Sequence, residues 1–165
     1  MGLLRPVAMV AAAGVVWMVV AAGVPRPVRV LPVSSVVYGA KITQPFGCTD
    51  LDLEPFDSVC PQHHIHTGID LAAREGTDVH SVTSGVARLG DDPDGAGLYV
   101  LVYVDTHVRV LYCHLSEFRL RTGDRVTPGQ VVGLLGSTGN STGPHVHFEI
   151  QVDGRPVDPA TWLTP

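Results

Sequence analysis

The chain has 165 residues, of which 45% are hydrophobic and 16% charged, a balance that excludes a disordered chain and suits one folded domain with a tail. With 11 Lys+Arg against 16 Asp+Glu the formal net charge is -5, which removes the basic surface that a nucleic-acid partner requires. Gly (18) and Pro (13) favour short elements joined by tight turns, and 3 Cys are too few for a disulfide-stapled miniprotein.

Residues 7–24 form an unbroken apolar run rich in Val and Ala. The run predicts an N-terminal hydrophobic helix, long for a signal-peptide core and just long enough to span a bilayer. Ala21-Ala22-Gly23 offers small residues where a signal peptidase cuts, so 1–24 reads as either a cleaved signal peptide or a retained membrane anchor. Arg26 and Arg29 outnumber Arg5, so the flanking charges leave orientation open. Either way, the rest of the chain is expected to be exported and to work in the cell envelope or beyond. Pro25, Pro27 and Pro32 block a helix, which makes 25–37 a linker and places the domain at 38–165.

Within the domain, Val79–Val86 reads as one strand. Leu98–Val104 and Val108–Tyr112 are β-branched and aromatic runs joined by Asp105-Thr106-His107, which predicts a hairpin. Gln130–Leu135 is a further short run. His145–Val152 alternates, and the Asp153-Gly154 pair after it is a hairpin turn signal. Turn-forming clusters such as Pro93-Asp94-Gly95 and Ser137-Thr138-Gly139-Asn140 separate these runs, and no helical apolar stripe follows residue 30. The fold class expected is all-β, a compact antiparallel domain.

The 8 His are the informative residues. His66 and Asp70 are four residues apart, about 13 Å along a flat strand, too far to share one ion. If both bind one metal the chain bends at Thr67-Gly68, and glycine is the residue that permits the bend. His145 and His147 share one face of a strand while Val146 faces the core, and paired imidazoles on a sheet suit zinc. Spacing alone does not choose between His145 and His147 as ligand. His114 stands at a strand end, placed to act as an acid or base. Cys113 is expected to point away from His114, into the core, and to be inert. Two His and one Asp make three protein ligands and leave a fourth position for water, the catalytic rather than the structural pattern for zinc.

Segments in this order carry a resemblance: Gln44-Pro45-Phe46-Gly47, His66-Thr67-Gly68-Ile69-Asp70, Gly76-Thr77-Asp78-Val79, Leu111-Tyr112-Cys113-His114-Leu115, Gly123-Asp124-Arg125-Val126 and Gly143-Pro144-His145-Val146-His147-Phe148-Glu149. Over about residues 38–163 the chain resembles the lysostaphin-type zinc endopeptidases, the LytM family. The resemblance implies an antiparallel β domain with a groove holding one zinc ion per chain. It makes His66, Asp70 and His147 the zinc ligands, and His145 and His114 the catalytic histidines. It further implies hydrolysis, by a metal-activated water, of peptide bonds in the stem peptides or cross-bridges of bacterial peptidoglycan. The alternative is a non-catalytic relative that binds wall peptides or activates another hydrolase; the retention of all five residues argues against it.

Against that pattern the chain carries an acidic insert, residues 48–60, ahead of His66. In an oxidising compartment Cys48 and Cys60 are expected to form a disulfide, and closing so short a loop contributes roughly 3 kcal/mol in the chain-entropy model. The insert's Asp50, Asp52, Glu54 and Asp57 lack the spacing of a calcium loop and read as solvated surface. His63 and His64 read as loop residues, His80 and His107 receive no role, and Arg119, Arg121 and Arg125 read as a solvated face. Membrane contact runs through residues 7–24 if they are retained. The sequence leaves the oligomeric state open.

Overall fold

The computed structural model describes residues 15–18, 26–29 and 31–161. Two units are separable, residues 1–30 and 31–165. In the first, β1 (Val15–Met18) pairs antiparallel with β2 (Arg26–Arg29). The rest of the 7–24 run, with the hydrophobic helix expected over it, lies outside the described residues. Among the described residues no helix is long and apolar enough to cross a membrane.

The second unit is all-β. Its strands are β3 (Lys41–Gln44), β4 (Gly47–Thr49), β5 (His64–His66), β6 (Ile69–Ala72), β7 (Asp78–His80), β8 (Gly85–Asp92) and β9 (Gly97–Tyr103). They continue as β10 (Val108–Phe118), β11 (Arg125–Val126), β12 (Val131–Leu135), β13 (His145–Val152) and β14 (Arg155–Val157). The main sheet runs β11-β8-β9-β10-β13-β6-β3, with β12 pairing β10 and β7, and β14 pairing β13. Its pairings are antiparallel throughout, as expected for hairpin-linked strands that alternate between a core face and a wet face. The expected 98–112 hairpin forms, with Val110 opposite Val102. Asp153 and Gly154 both take positive φ (51° and 77°) and turn β13 into β14.

The core gathers the inward residues of these strands: Val100 and Val102 of β9, Val110 and Tyr112 of β10, Val146, Phe148 and Ile150 of β13, and Leu71 of β6. Tyr112 and Phe148 are fully buried with ring centroids 5.4 Å apart. The Tyr112 hydroxyl accepts from the Val82 N–H at 3.0 Å, and burial pushes its pKa up to about 12. Phe148→Ala is expected to cost about 3–5 kcal/mol, read as a shift of the denaturant midpoint.

Three local expectations are corrected. Val79–Val86 is two strands, β7 and β8, because the Ser81 hydroxyl donates to the Thr83 carbonyl at 2.8 Å and the chain turns there. The end of the expected linker belongs to the packed unit: Val36 and Val37 are fully buried, and the Val36 carbonyl accepts from the His80 N–H at 2.8 Å. β10 does not end at Tyr112 but continues to Phe118 through a bulge at Cys113-His114, where His114 takes φ 60°. Cys113 is buried, as expected, but it is a lining residue of the same groove as His114.

The insert is the excursion of a small hairpin. β4 pairs with β5, Gly47 opposite His66 and Thr49 opposite His64, and the sulfurs of Cys48 and Cys60 lie at bonding distance with Cα atoms 5.3 Å apart. Asp57 is not idle surface: its Oδ1 accepts from the Val59 and Cys60 N–H groups at 2.7 and 3.3 Å, turning the chain into the second cysteine. Asp52 lies 3.6 Å from His64 Nε2. Arg119, of the expected solvated face, is exposed and pairs with Glu117 at 2.6 Å.

Candidate metal centre

β5 ends at His66, the chain bends through Thr67-Gly68, and β6 begins at Ile69. That bend is what brings His66 and Asp70 together, and only glycine fits at 68: a Cβ there would lie 2.4 Å from the Phe148 carbonyl oxygen and 2.9 Å from the His147 ring. Cross-strand pairing does the rest. His147 of β13 stands directly opposite Asp70 of β6, and His145 opposite Ala72.

Three donor atoms converge. His66 Nε2 lies 3.1 Å from Asp70 Oδ1 and 2.9 Å from His147 Nδ1, and His147 Nδ1 lies 3.2 Å from Asp70 Oδ1. These edges are close to the roughly 3.4 Å between corners of a tetrahedron whose centre is 2.0–2.1 Å from each donor. The remote ring nitrogens are spoken for. His66 Nδ1–H donates to the Pro45 carbonyl at 2.8 Å and His147 Nε2–H to Glu149 Oε2 at 3.4 Å. Each imidazole therefore turns its metal-binding nitrogen towards the carboxylate, the outer arrangement a histidine-bound metal needs. The donor set, two imidazoles and a carboxylate, fits a divalent metal of the zinc class.

Electrostatics agree with the geometry. Burial pushes the Asp70 carboxyl up, but hydrogen bonds from His147 and His66 outweigh it and hold the group well below the usual carboxylate range. Burial lowers the His147 pKa, yet hydrogen bonds to Asp70 and Glu149 raise it to about 9. Glu149, although buried, is drawn below its ordinary value by hydrogen bonds from His147, Thr67 and Gln151.

His145 and His114 flank the cluster without joining it. His145 Nε2 is 3.7 Å from Asp70 Oδ2, and its Nδ1–H donates to the Gly143 carbonyl at 2.8 Å. His114 Nδ1–H donates to the Thr138 carbonyl at 2.8 Å, and the two rings stand 4.7 Å apart. Burial lowers the His114 pKa to about 4 despite the Thr138 contact, so this imidazole is neutral at neutral pH with Nε2 unprotonated. Thr138 also fixes the bulge that aims His114: its hydroxyl takes the Leu98 N–H at 2.9 Å and donates to the Leu115 carbonyl at 2.7 Å.

Four of the five expected residues, Asp70, His114, His145 and His147, line one groove together with Leu51, Leu53 and Pro55 of the insert, and His66 is fully buried against Asp70 and His147. Asn140, another lining residue, donates from Nδ2 to the Leu53 carbonyl at 3.4 Å and so ties the insert to the 137–140 turn. His64, His80 and His107 stay apart; His64 Nδ1 donates to the Glu54 carbonyl at 2.7 Å and His107 pairs with Asp153 at 2.6 Å. Sequence reasoning missed Thr138, Thr67 and Glu149 as supports. The alternation of β13 held a signal for the last, since it puts 145, 147, 149 and 151 on one face.

Residues 64–159 match the model of Peptidase family M23. The chain is similar to the DD-carboxypeptidase/endopeptidase Mpg of Neisseria meningitidis, 38% identical over 125 residues that make up 76% of this chain and 27% of that protein. It therefore spans about a quarter of the length of the curated relatives it matches first. Among solved structures it resembles a zinc-containing peptidase from Vibrio cholerae, with TM-score 0.66, 31% identity and coverage of 79% of this chain and 39% of that one. It also resembles the catalytic domain of lysostaphin from Staphylococcus simulans, with TM-score 0.63, 30% identity and coverage of 76% and 93%. With a lysostaphin-like antiparallel fold, a His-Asp-His cluster and a family match over more than half its length, the chain belongs to peptidase family M23, a family of metallopeptidases that includes peptidoglycan endopeptidases.

Proposed function

We propose that the chain is an exported zinc endopeptidase that hydrolyses peptide bonds in the stem peptides or cross-bridges of bacterial peptidoglycan. The observation that carries this reading is the convergence of His66, Asp70 and His147 on one point, beside two imidazoles anchored through their remote nitrogens to main-chain carbonyls. Zinc held there supplies Lewis acidity towards a peptide carbonyl and lowers the pKa of a water molecule towards about 7.

The protein's own groups do the remaining work. His145 and His114 each commit Nδ1–H to a main-chain carbonyl, which leaves Nε2 as the ring nitrogen free to exchange a proton in the groove. One takes the proton that the attacking water gives up. As an imidazolium it then donates, first to the developing oxyanion and then to the leaving amine. The insert wall of Leu51, Leu53 and Pro55 narrows the groove on one side and is proposed to limit which peptides enter. The apolar run 7–24 and the Cys48–Cys60 pair support work outside the cytoplasm, where such a bridge persists.

The test is mass spectrometry of what the zinc-loaded protein releases from purified sacculi of several peptide chemistries, with His145→Ala alongside. New peptide termini absent from the control are expected. The first bond to examine is a D,D-peptide bond, because the relative Mpg is named for one. No release from any sacculus by a zinc-bearing protein would sink the catalytic reading and favour a wall-peptide binder.

The disulfide has its own test. The unreduced protein is expected to weigh two hydrogens less than the reduced one. Reduction is expected to cost about 3 kcal/mol and lower the melting midpoint by about 10 °C. Free thiols at both positions in exported protein would refute the bridge.

A further inference from the structure

Below the cluster, the groove face of β13 continues past the histidines as a ladder of polar side chains. His145, His147, Glu149 and Gln151 follow at every second residue on one face. Glu149 is the buried member, 6% exposed, and a carboxylate so placed needs a reason. Its oxygens are fully engaged. Oε2 accepts from Thr67 Oγ1 at 2.5 Å and from His147 Nε2 at 3.4 Å, and Oε1 accepts from the Gln151 amide. Gln151 is held in turn by Arg109, its cross-strand partner on β10, whose guanidinium donates to Gln151 Oε1.

Thr67 gives the arrangement its meaning. It stands between His66 and Gly68 in the bend that carries the first donor, whereas Glu149 lies on the strand that carries the third. The Thr67–Glu149 hydrogen bond therefore ties the two donor-bearing segments to each other, its ends 82 positions apart in the chain. The same carboxylate orients the His147 ring by taking its Nε2–H, which turns Nδ1 towards Asp70 and His66. One buried group thus bears on both the spacing of the donors and the orientation of the His147 ring.

We infer that Glu149, clamped by Thr67 and steadied by Gln151 and Arg109, is a positioning residue for the metal centre, acting through His147 and not on the substrate. This assignment rests on the metal reading above. Outer partners of this kind are worth about 10–100-fold in metal affinity when removed.

The readout is equilibrium zinc affinity of the full chain, by competition with a chromophoric chelator, together with the melting midpoint of the metal-free protein. Glu149→Gln keeps the shape and removes the charged acceptor; it is expected to weaken zinc binding by about 10–100-fold. Thr67→Val keeps the volume and removes the hydroxyl, and an affinity loss of about tenfold is expected, which Thr67→Ser restores. The metal-free midpoint of these variants is expected to stay near that of the parent. A lowered midpoint with affinity unchanged within about twofold would overturn the assignment and leave Glu149 a packing residue. Should Glu149→Gln fail to fold, the Thr67 pair decides by the same criterion. If the parent chain binds no zinc, the metal reading itself fails; parent binding with insensitive variants defeats only the positioning role.

Discussion

Asp70→Ala is expected to bring bound zinc from about one ion per chain to near zero, and peptide release from sacculi to background. Asp70 Oδ1 is within 3.1 Å of His66 Nε2 and 3.2 Å of His147 Nδ1, and it supplies the anionic donor of the cluster. Hydrogen bonds from both imidazoles outweigh burial and hold its carboxyl well below the usual carboxylate range, so the group is ionised at neutral pH. Alanine leaves two imidazole donors and no charge to offset the ion. The loss should exceed the 10–100-fold typical of outer-shell changes, because a bond to the metal is removed and not merely loosened. The strand itself tolerates alanine, since Ala72 occupies the next groove-facing position of β6. Metal content by atomic absorption and the far-ultraviolet circular dichroism of the same sample separate a lost site from a lost fold. Full zinc occupancy in a folded Asp70→Ala protein would remove Asp70 from the ligand set.

Which parts of this site can be read from sequence follows from how local their causes are. His145 and His147 share a face because a strand alternates, and Val146 between them is fully buried. The bend at Thr67-Gly68 is legible because no straight strand brings His66 to Asp70, and glycine is the residue that turns. The 98–112 hairpin and the Asp153-Gly154 turn are local in the same sense.

The bulge at Cys113-His114 is of another kind. Its positive φ at a histidine is stabilised by Thr138, which lies 24 residues further on and binds His114, Leu98 and Leu115 at once. Nothing in the 108–118 run announces it: alternation carried on from Leu111 and Tyr112 would put His114 on the core side, and the bulge turns it into the groove instead. Val36 and Val37 escape for a similar reason. Their Pro-rich surroundings look like a linker, but the Val36 carbonyl completes the edge of β7 at His80. Glu149 is visible as part of a face but not as a support, because its partner Thr67 comes from a distant bend. Local rules place side chains on faces; which faces meet depends on pairing across the sheet.

His145→Ala tests the division of labour among the histidines, and the expected outcome is zinc retained at about one ion per chain with turnover down by about 10²–10⁴-fold. The two residues of the His145-Val146-His147 segment differ in what they touch. His147 Nδ1 meets the other two donors at 2.9 and 3.2 Å, whereas His145 Nε2 comes no nearer than 3.7 Å to Asp70 and its Nδ1 is committed to Gly143. Removing His145 therefore leaves the donor triangle and the outer contacts of His66 and His147 in place. What is lost is one of two neighbouring imidazoles lining the groove. His114→Ala should give a loss of the same order. If the two imidazoles share one proton-transfer task, as their 4.7 Å ring separation suggests, the double variant should fall by much less than the product of the two single losses. Multiplicative losses would mean two independent tasks, one at the attacking water and one at the leaving amine. Loss of metal from His145→Ala would mean instead that the roles of His145 and His147 are exchanged. In that event His147→Ala, expected here to lose zinc, would keep it.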